Sequence, residues 1–380
     1  MTTEPKLVVI FLRGGCDGLA LLSPASDPDF IAARPADLRS LRDGDGAGFA
    51  IKQGIADIDF RLHAQAGALA DLYNAGDLSL IHACGLTEAT RSHFEAEARM
   101  ERSAQTAGAE GGWLGRWLKV QGAMAELPAI AVGTSLPGSL EGSEAAVAAE
   151  LGNLILAQGH WLSPALRARI NAGFGSHGPV QASMQQLLTL SDMISGRIWS
   201  DADQAIRPYL PAVEYPQDNP LSAPLMTVAQ TFKLGMGTRL ATVDMDGWDT
   251  HVRQAGDFGN NVRYLSQALM AFWRDLGAIQ ADTSVVVMTE FGRRLRANEG
   301  AGTDHGRGGV MMVLGPQARG GRMLGRWPGL TNDVLEEGAD LAVTTDYRQP
   351  LAELLGAHMG TRDISTIFPG FTPTPLGLFG

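Results

Sequence analysis

Leu7-Val8-Val9-Ile10-Phe11-Leu12 runs directly into Arg13-Gly14-Gly15-Cys16-Asp17-Gly18. Six apolar residues without polar alternation predict a strand buried on both faces. The glycines that follow allow a tight turn that can aim a carboxylate into a crevice. The pattern recurs along the chain. Residues 78–82 lead into Ala83-Cys84-Gly85, residues 240–243 into the acidic stretch 244–251, and residues 284–288 into Thr289-Glu290-Phe291-Gly292-Arg293. Residues 310–314 form a fifth apolar run. Helical spacing fills the intervals, most clearly at Val262, Leu265, Leu269, Phe272 and Leu276, and again over about 180–193. Strands alternating with helices predict an α/β fold with a mostly parallel sheet covered on both faces. In such folds functional groups collect beyond the carboxyl ends of the strands. The polar clusters fall at those ends, which points to one active centre.

The chain has 380 residues, 45% of them apolar, enough for a large buried core. Its net charge of −11 repels a phosphate backbone and argues against nucleic-acid binding, while leaving room for a small anionic substrate held by local cations. Two cysteines, Cys16 and Cys84, form no C-x-x-C pair and read as buried thiols. No stretch is long enough to span a bilayer, and residues 7–12 are too short for a signal core, so the expected location is cytoplasmic. The alternative is periplasmic, if an export signal has been removed. The chain reads as one domain over 1–380. The Gly-, Ala- and Pro-rich stretch 103–220, with Trp113, Trp117 and Trp161, is a candidate cap or subdomain.

Four polar segments carry residues suited to a metal. Asp17 follows the first strand and fits either a ligand or a helix cap. Asp249 and His251 lie two apart and converge on one ion if the segment is extended. Asp246 offers a competing pairing with His251. Glu290 stands at a strand end, with Arg293 and Arg294 able to fork onto an anion. Asp304 and His305 lie in a glycine-flanked loop. Imidazole and carboxylate together suit Zn²⁺, and carboxylates suit Mn²⁺ or Mg²⁺, with Ca²⁺ a further alternative. In Thr90-Arg91-Ser92-His93-Phe94-Glu95, Ser92 and Glu95 match a helix capping box. The same serine, at a helix start whose free N–H groups favour an anion, is a candidate nucleophile.

Taken together, L-R-G-G-C-D-G at 12–18, T-R-S-H-F at 90–94, G-W-D-T-H at 247–251, T-E-F-G-R at 289–293 and D-H-G at 304–306 resemble the DUF1501 family of the alkaline phosphatase and sulfatase-like superfamily. The resemblance implies a three-layer α/β/α sandwich with a mostly parallel central sheet and one or two divalent ions. It implies metal ligands at Asp17, Asp249, His251, Glu290 and His305, a nucleophile at Ser92 or Thr90, and Arg293 on the phosphoryl oxygens. Arg91, His93 and Arg294 become substrate-binding candidates, and His93 or Asp304 candidates for proton transfer. The superfamily places Asp-His where this chain has Glu290-Phe291, so one metal position lacks a ligand. Neither cysteine begins the C-x-P-x-R or C-x-A-x-R pattern of formylglycine sulfatases. The implied activity is hydrolysis of phosphate, or secondarily sulfate, esters. A non-catalytic anion- or glycan-binding relative and a phosphomutase or transferase are the alternatives. The oligomeric state is not legible.

Overall fold

In the computed structural model the described residues are 4–52, 54–103, 110–122, 125–156, 163–173, 179–316 and 318–379. The first apolar run forms β1 (Lys6–Leu12), and the chain then lays down α1 (Gly67–Ala75), β2 (Leu78–Gly85), α2 (His93–Arg102), α3 (Trp113–Gln121), β3 (Ala129–Val132) and β4 (Ala146–Ala148). There follow α4 (Ser222–Lys233), β5 (Leu240–Met245), α5 (Gln254–Leu276), β6 (Thr283–Thr289), β7 (Arg293–Ala297), β8 (Thr303–His305) and β9 (Gly309–Leu314). The last of those named here are β10 (Met323–Leu324), β11 (Thr345–Asp346) and α6 (Arg348–Ala357). One nine-stranded sheet runs in the order β10-β2-β9-β6-β1-β5-β3-β4, with β11 also on β2. Every pairing in it is parallel except those of β9, which is antiparallel to β6 and β2.

The side-chain period of two divides β1 between two cores. Val8, Ile10 and Leu12 pack with residues of α1, α4 and α5, whereas Leu7, Val9 and Phe11 pack with residues of α2, α3 and α6. Each strand residue from Leu7 to Leu12 is buried, so truncating Ile10 to Ala would cost about 2–5 kcal/mol. The three-layer α/β/α arrangement with a mostly parallel sheet is therefore as expected. All five anticipated runs are strands of this sheet, and Val262, Leu265, Leu269, Phe272 and Leu276 of α5 are all buried. The helix expected over 180–193 is Pro179–Ile198.

Two strands, β3 and β4, carried no strong apolar run, and they extend the sheet from within 103–220. Trp113 and Trp117 of α3 are buried against the same face, while Trp161 lies outside the described residues. Cys16 and Cys84 are buried free thiols. Among the described residues no helix is long and apolar enough to cross a membrane.

Register sets where the site forms. Leu12 pairs with Met245 on one side and Thr289 on the other, so the carboxyl ends of β5, β1 and β6 are level. The residues that leave these ends, from Arg13, Asp246 and Glu290, therefore meet at one edge of the sheet. The hairpin of β7 and β8 closes over them with Arg293 opposite His305.

Candidate metal centre

The turn after β1 is held tightly. Gly14 has φ +116°, and a Cβ there would lie 2.4 Å from the backbone N of Asp249. Gly15, at φ +67°, would place a Cβ 2.5 Å from the Phe291 ring. Only glycine fits both the left-handed conformation and the close approach. Arg293, fully buried, clamps this turn. Its Nε donates to Gly15 O at 2.7 Å, its Nη1 to Thr303 O at 2.8 Å, and its Nη2 to Gly14 O, Trp248 O and Asp249 Oδ1. Full burial and these bonds commit the guanidinium to the turn, so the expectation that Arg293 faces the phosphoryl oxygens does not match the geometry.

Around Asp249 three imidazoles converge. Asp249 Oδ1 lies 3.0 Å from His305 Nε2, 3.0 Å from His251 Nε2 and 3.5 Å from His93 Nε2. His305 Nε2 is also 3.0 Å from His93 Nε2 and 2.8 Å from His251 Nε2. Donor atoms of His93, Asp249 and His305 all lie within 4.8 Å of one another, and His251 closes on two of the three.

The outer nitrogens decide the tautomers. His305 Nδ1 is 2.9 Å from the carbonyl of Arg91, His93 Nδ1 is 2.6 Å from Glu290 Oε1, and His251 Nδ1 is 3.3 Å from Asp304 Oδ1. Each of these oxygens can only accept, so each Nδ1 carries the proton and each neutral Nε2 presents a lone pair. With the rings neutral, three lone pairs and a carboxylate oxygen thus crowd together, and either a proton taken up at His305 Nε2 or a metal ion would relieve them. Tetrahedral Zn²⁺, with bonds of about 2.0–2.1 Å, needs donors about 3.3 Å apart, close to the spacings here. Oxygen partners behind ligating histidines are the usual support of such sites.

The charges agree with this arrangement. Burial pushes the Asp249 carboxyl up, but hydrogen bonds from His305 and Arg293 outweigh it and pull the pKa down to about 2. Glu290 is fully buried; burial raises its pKa, yet bonds from His93 and the backbone N–H groups of Gly14 and Gly15 bring it below the usual range. The bond to Glu290 raises His93, while burial lowers His305.

Other candidates lie elsewhere. Asp17 is fully buried and apart from the histidines. Its carboxylate caps Ala20 N, pairs with Arg34 Nη1 at 2.7 Å and accepts from Gln254 Nε2 at 2.6 Å. This is the cap reading, completed by a buried ion pair. Glu290 reaches the cluster only through His93. Asp246 is exposed and lines the neighbouring cavity. Arg91 and Arg294 both turn towards buried Asp340, at 2.9 Å and 3.7 Å, with Arg91 also 2.7 Å from Glu337. Ser92 begins α2 but makes no capping bond; Thr90 Oγ1 bonds Glu95 instead at 2.8 Å. The expected capping box is therefore not formed, and Ser92, the residue before His93, is exposed. His93, expected to meet substrate, is a cluster member. The Phe291 ring lies 4.9 Å from that of His93 and 5.0 Å from that of His305, walling one side.

Fold and site together define a three-layer α/β protein with a histidine–aspartate cluster at the strand ends. The family model described as "Protein of unknown function (DUF1501)" matches residues 85–366, and the chain belongs to that family. No curated protein matches the sequence. Among solved structures the chain is similar to the C-terminal periplasmic domain of EcEptC from Escherichia coli in complex with Zn, at TM-score 0.45 and 8% identity, covering 98% of this chain and 88% of that one. It is similar to a protein in the alkaline phosphatase superfamily from Vibrio parahaemolyticus, at TM-score 0.41 and 9% identity over 96% and 71% of the two chains. It is also similar to the lipoteichoic acid synthase LtaP from Listeria monocytogenes, at TM-score 0.40 and 10% identity over 99% and 74%.

Proposed function

We propose that this chain is a metal-dependent hydrolase of phosphate esters, monoester or diester, with sulfate esters the second choice. The convergence of three imidazole lone pairs on Asp249 Oδ1 carries the reading. His93, His305 and Asp249 would hold one divalent ion with a position left for the ester, His251 standing against Asp249 and His305, and the nitrogen-rich set favours Zn²⁺ over Mn²⁺, Mg²⁺ or Ca²⁺. When bound, the ion supplies Lewis-acid polarisation of the ester oxygens and lowers the pKa of a nearby hydroxyl.

The chain's own residues do the rest. Glu290, the Arg91 carbonyl and Asp304 keep the three Nε2 atoms facing inward. The free N–H groups at the start of α2 favour the anionic oxygens. Ser92 Oγ forms the bond to phosphorus, the ester P–O bond breaks, and the alcohol leaves with the serine proton. Water then cleaves the phosphoseryl group. Thr90, bonded to Glu95, is less free for this role. The partner is a small anionic ester; the acidic charge argues against nucleic acid.

A binding-only reading is favoured by one observation: the buried Arg293 guanidinium is held against the turn by Gly15, Thr303 and Asp249, and the arginines Arg91 and Arg294 face Asp340. The test is metal content of protein purified without added metal, beside His305→Ala and Asp249→Ala. Turnover of 4-nitrophenyl phosphate, bis(4-nitrophenyl) phosphate and 4-nitrophenyl sulfate is followed for wild type and Ser92→Ala. Bound zinc lost in both ligand variants, with turnover lost in Ser92→Ala, supports the hydrolase. Bound metal without turnover favours the binding-only reading. Metal-free protein that cannot be loaded sinks the metal site.

A further inference from the structure

Beside the histidine cluster, the carboxyl ends of β1, β3 and β5 open onto a cavity of about 620 Å³. On α2, His93, Glu97 and Glu101 follow one another at intervals of four, on one helical face. His93 serves the cluster, and Glu97 and Glu101 line the cavity together with Asp244 and Asp246.

Among the lining residues Arg13 is the single cation. It is fixed against the wall, stacked 4.0 Å above the Phe11 ring, 2.7 Å from Glu101 and 3.1 Å from Asp244. Glu97 is 3.4 Å from it, and Asp246 has no hydrogen bond among the described residues. Burial raises the pKa of Glu97, Glu101 and Asp244 even with Arg13 beside them, so their charge is incompletely offset. A further polar group lines the wall. Thr242, 6% exposed, lines the cavity from the same strand face as Asp244, and its hydroxyl has no partner among the described residues. Its hydroxyl therefore opens onto the cavity and is free to accept from, or donate to, a bound group.

We propose that this cavity is a substrate subsite for an ammonium group, carried on the ester whose phosphoryl end meets the histidine cluster. The proposal rests on the hydrolase reading. A primary or secondary ammonium supplies the two or three donors that Glu97, Asp246 and Thr242 can accept. A bare divalent ion fits less well, because Arg13 already engages oxygens of Glu101 and Asp244 and the volume far exceeds what one ion fills.

Two non-hydrolysable probes, 3-aminopropylphosphonate and propylphosphonate, are titrated calorimetrically into zinc-loaded protein. The expected result is tighter binding of the amine by about tenfold or more, with the ratio falling towards one in Glu97→Gln and in Thr242→Val. Exposed Asp57→Asn, which changes net charge equally, should keep the ratio. Equal, zinc-dependent binding of both probes overturns the subsite and leaves the hydrolase reading intact. Propylammonium, which carries no phosphorus, is titrated in parallel into metal-free protein. Binding there that Glu97→Gln abolishes upholds the cavity even if neither phosphonate binds. No amine binding in either titration overturns it.

Discussion

Glu290 Oε1 accepts the Nδ1 proton of His93 at 2.6 Å, and through that one bond a fully buried carboxylate governs a ring whose other nitrogen faces the cluster. The carboxylate is itself fixed by the Gly14 N–H at 2.9 Å and the Thr289 hydroxyl at 2.9 Å. It sits behind His93 rather than within the cluster, although sequence placed it among the candidate ligands. Glu290→Gln keeps the volume but presents an amide that can meet the ring in the wrong tautomer. Zinc affinity, measured by chelator competition, should fall by about 10–100-fold. An unchanged affinity would remove Glu290 from the support of the site.

Asp17 provides the contrasting case. Its pairing with Arg34 is wholly buried on both sides. Asp17→Asn leaves a guanidinium without its counter-charge, and urea unfolding should show a loss of about 3–5 kcal/mol. Zinc content of the folded fraction should match wild type. Loss of zinc at unchanged stability would return Asp17 to the metal.

Asp249 sets an acid limit. Its folded pKa, about 2, lies below the ordinary 3.8. A depressed carboxylate contributes stability that is fully present above the unfolded value and is lost as pH falls through the folded one. Metal-free wild type should therefore exceed Asp249→Asn in stability at pH 5, and the difference should shrink between about pH 4 and pH 2. A difference that grows towards acid would contradict the ion pairs assigned to Asp249.

Asp340 acts at one remove. It holds the Arg91 side chain, and the Arg91 carbonyl receives the His305 Nδ1 proton at 2.9 Å. Asp340→Asn should loosen that carbonyl and weaken zinc binding several-fold. The His305 imidazole ¹⁵N shifts should move towards mixed tautomers, and Arg91→Lys should be milder than Arg91→Ala. A stability loss with unaltered imidazole shifts would reduce Asp340 to a structural role.

Much of the fold could be read from the chain because its central strands are buried on both faces, and double burial leaves an uninterrupted apolar run. Strands β3 and β4 escaped notice because Ala-Ile-Ala-Val and Ala-Val-Ala carry little bulk and resemble the Ala-rich segments around them. For the site, Asp249, His251 and His305 stand out because each follows or opens a strand within glycine-rich loops. Sequence alone does not separate Asp17 from them. A carboxylate after a Gly-Gly turn looks the same whether it faces a metal or Arg34, and nothing in the run from 28 to 34 advertises that partner. His93 was legible as a candidate for substrate binding or proton transfer but not as a cluster member, since its place depends on where α2 is docked. The commitments of Arg293 arise from carbonyls brought together by three separate segments, and carbonyls leave no trace in residue identity.

The place of β1 at the middle of the sheet bears on how the protein is made. Its two hydrogen-bonding partners are β5 and β6, and the second pairing is complete only when residue 289 has been added. At about 5–20 residues per second, the run Leu7–Leu12 waits on the order of tens of seconds with both edges open. An apolar, uncharged strand in that state is prone to pair with other chains. Pulse proteolysis of ribosome-bound chains should find this segment accessible until β6 has emerged. Substitutions in β6 that slow its docking should accordingly lower soluble yield before they measurably alter the finished protein.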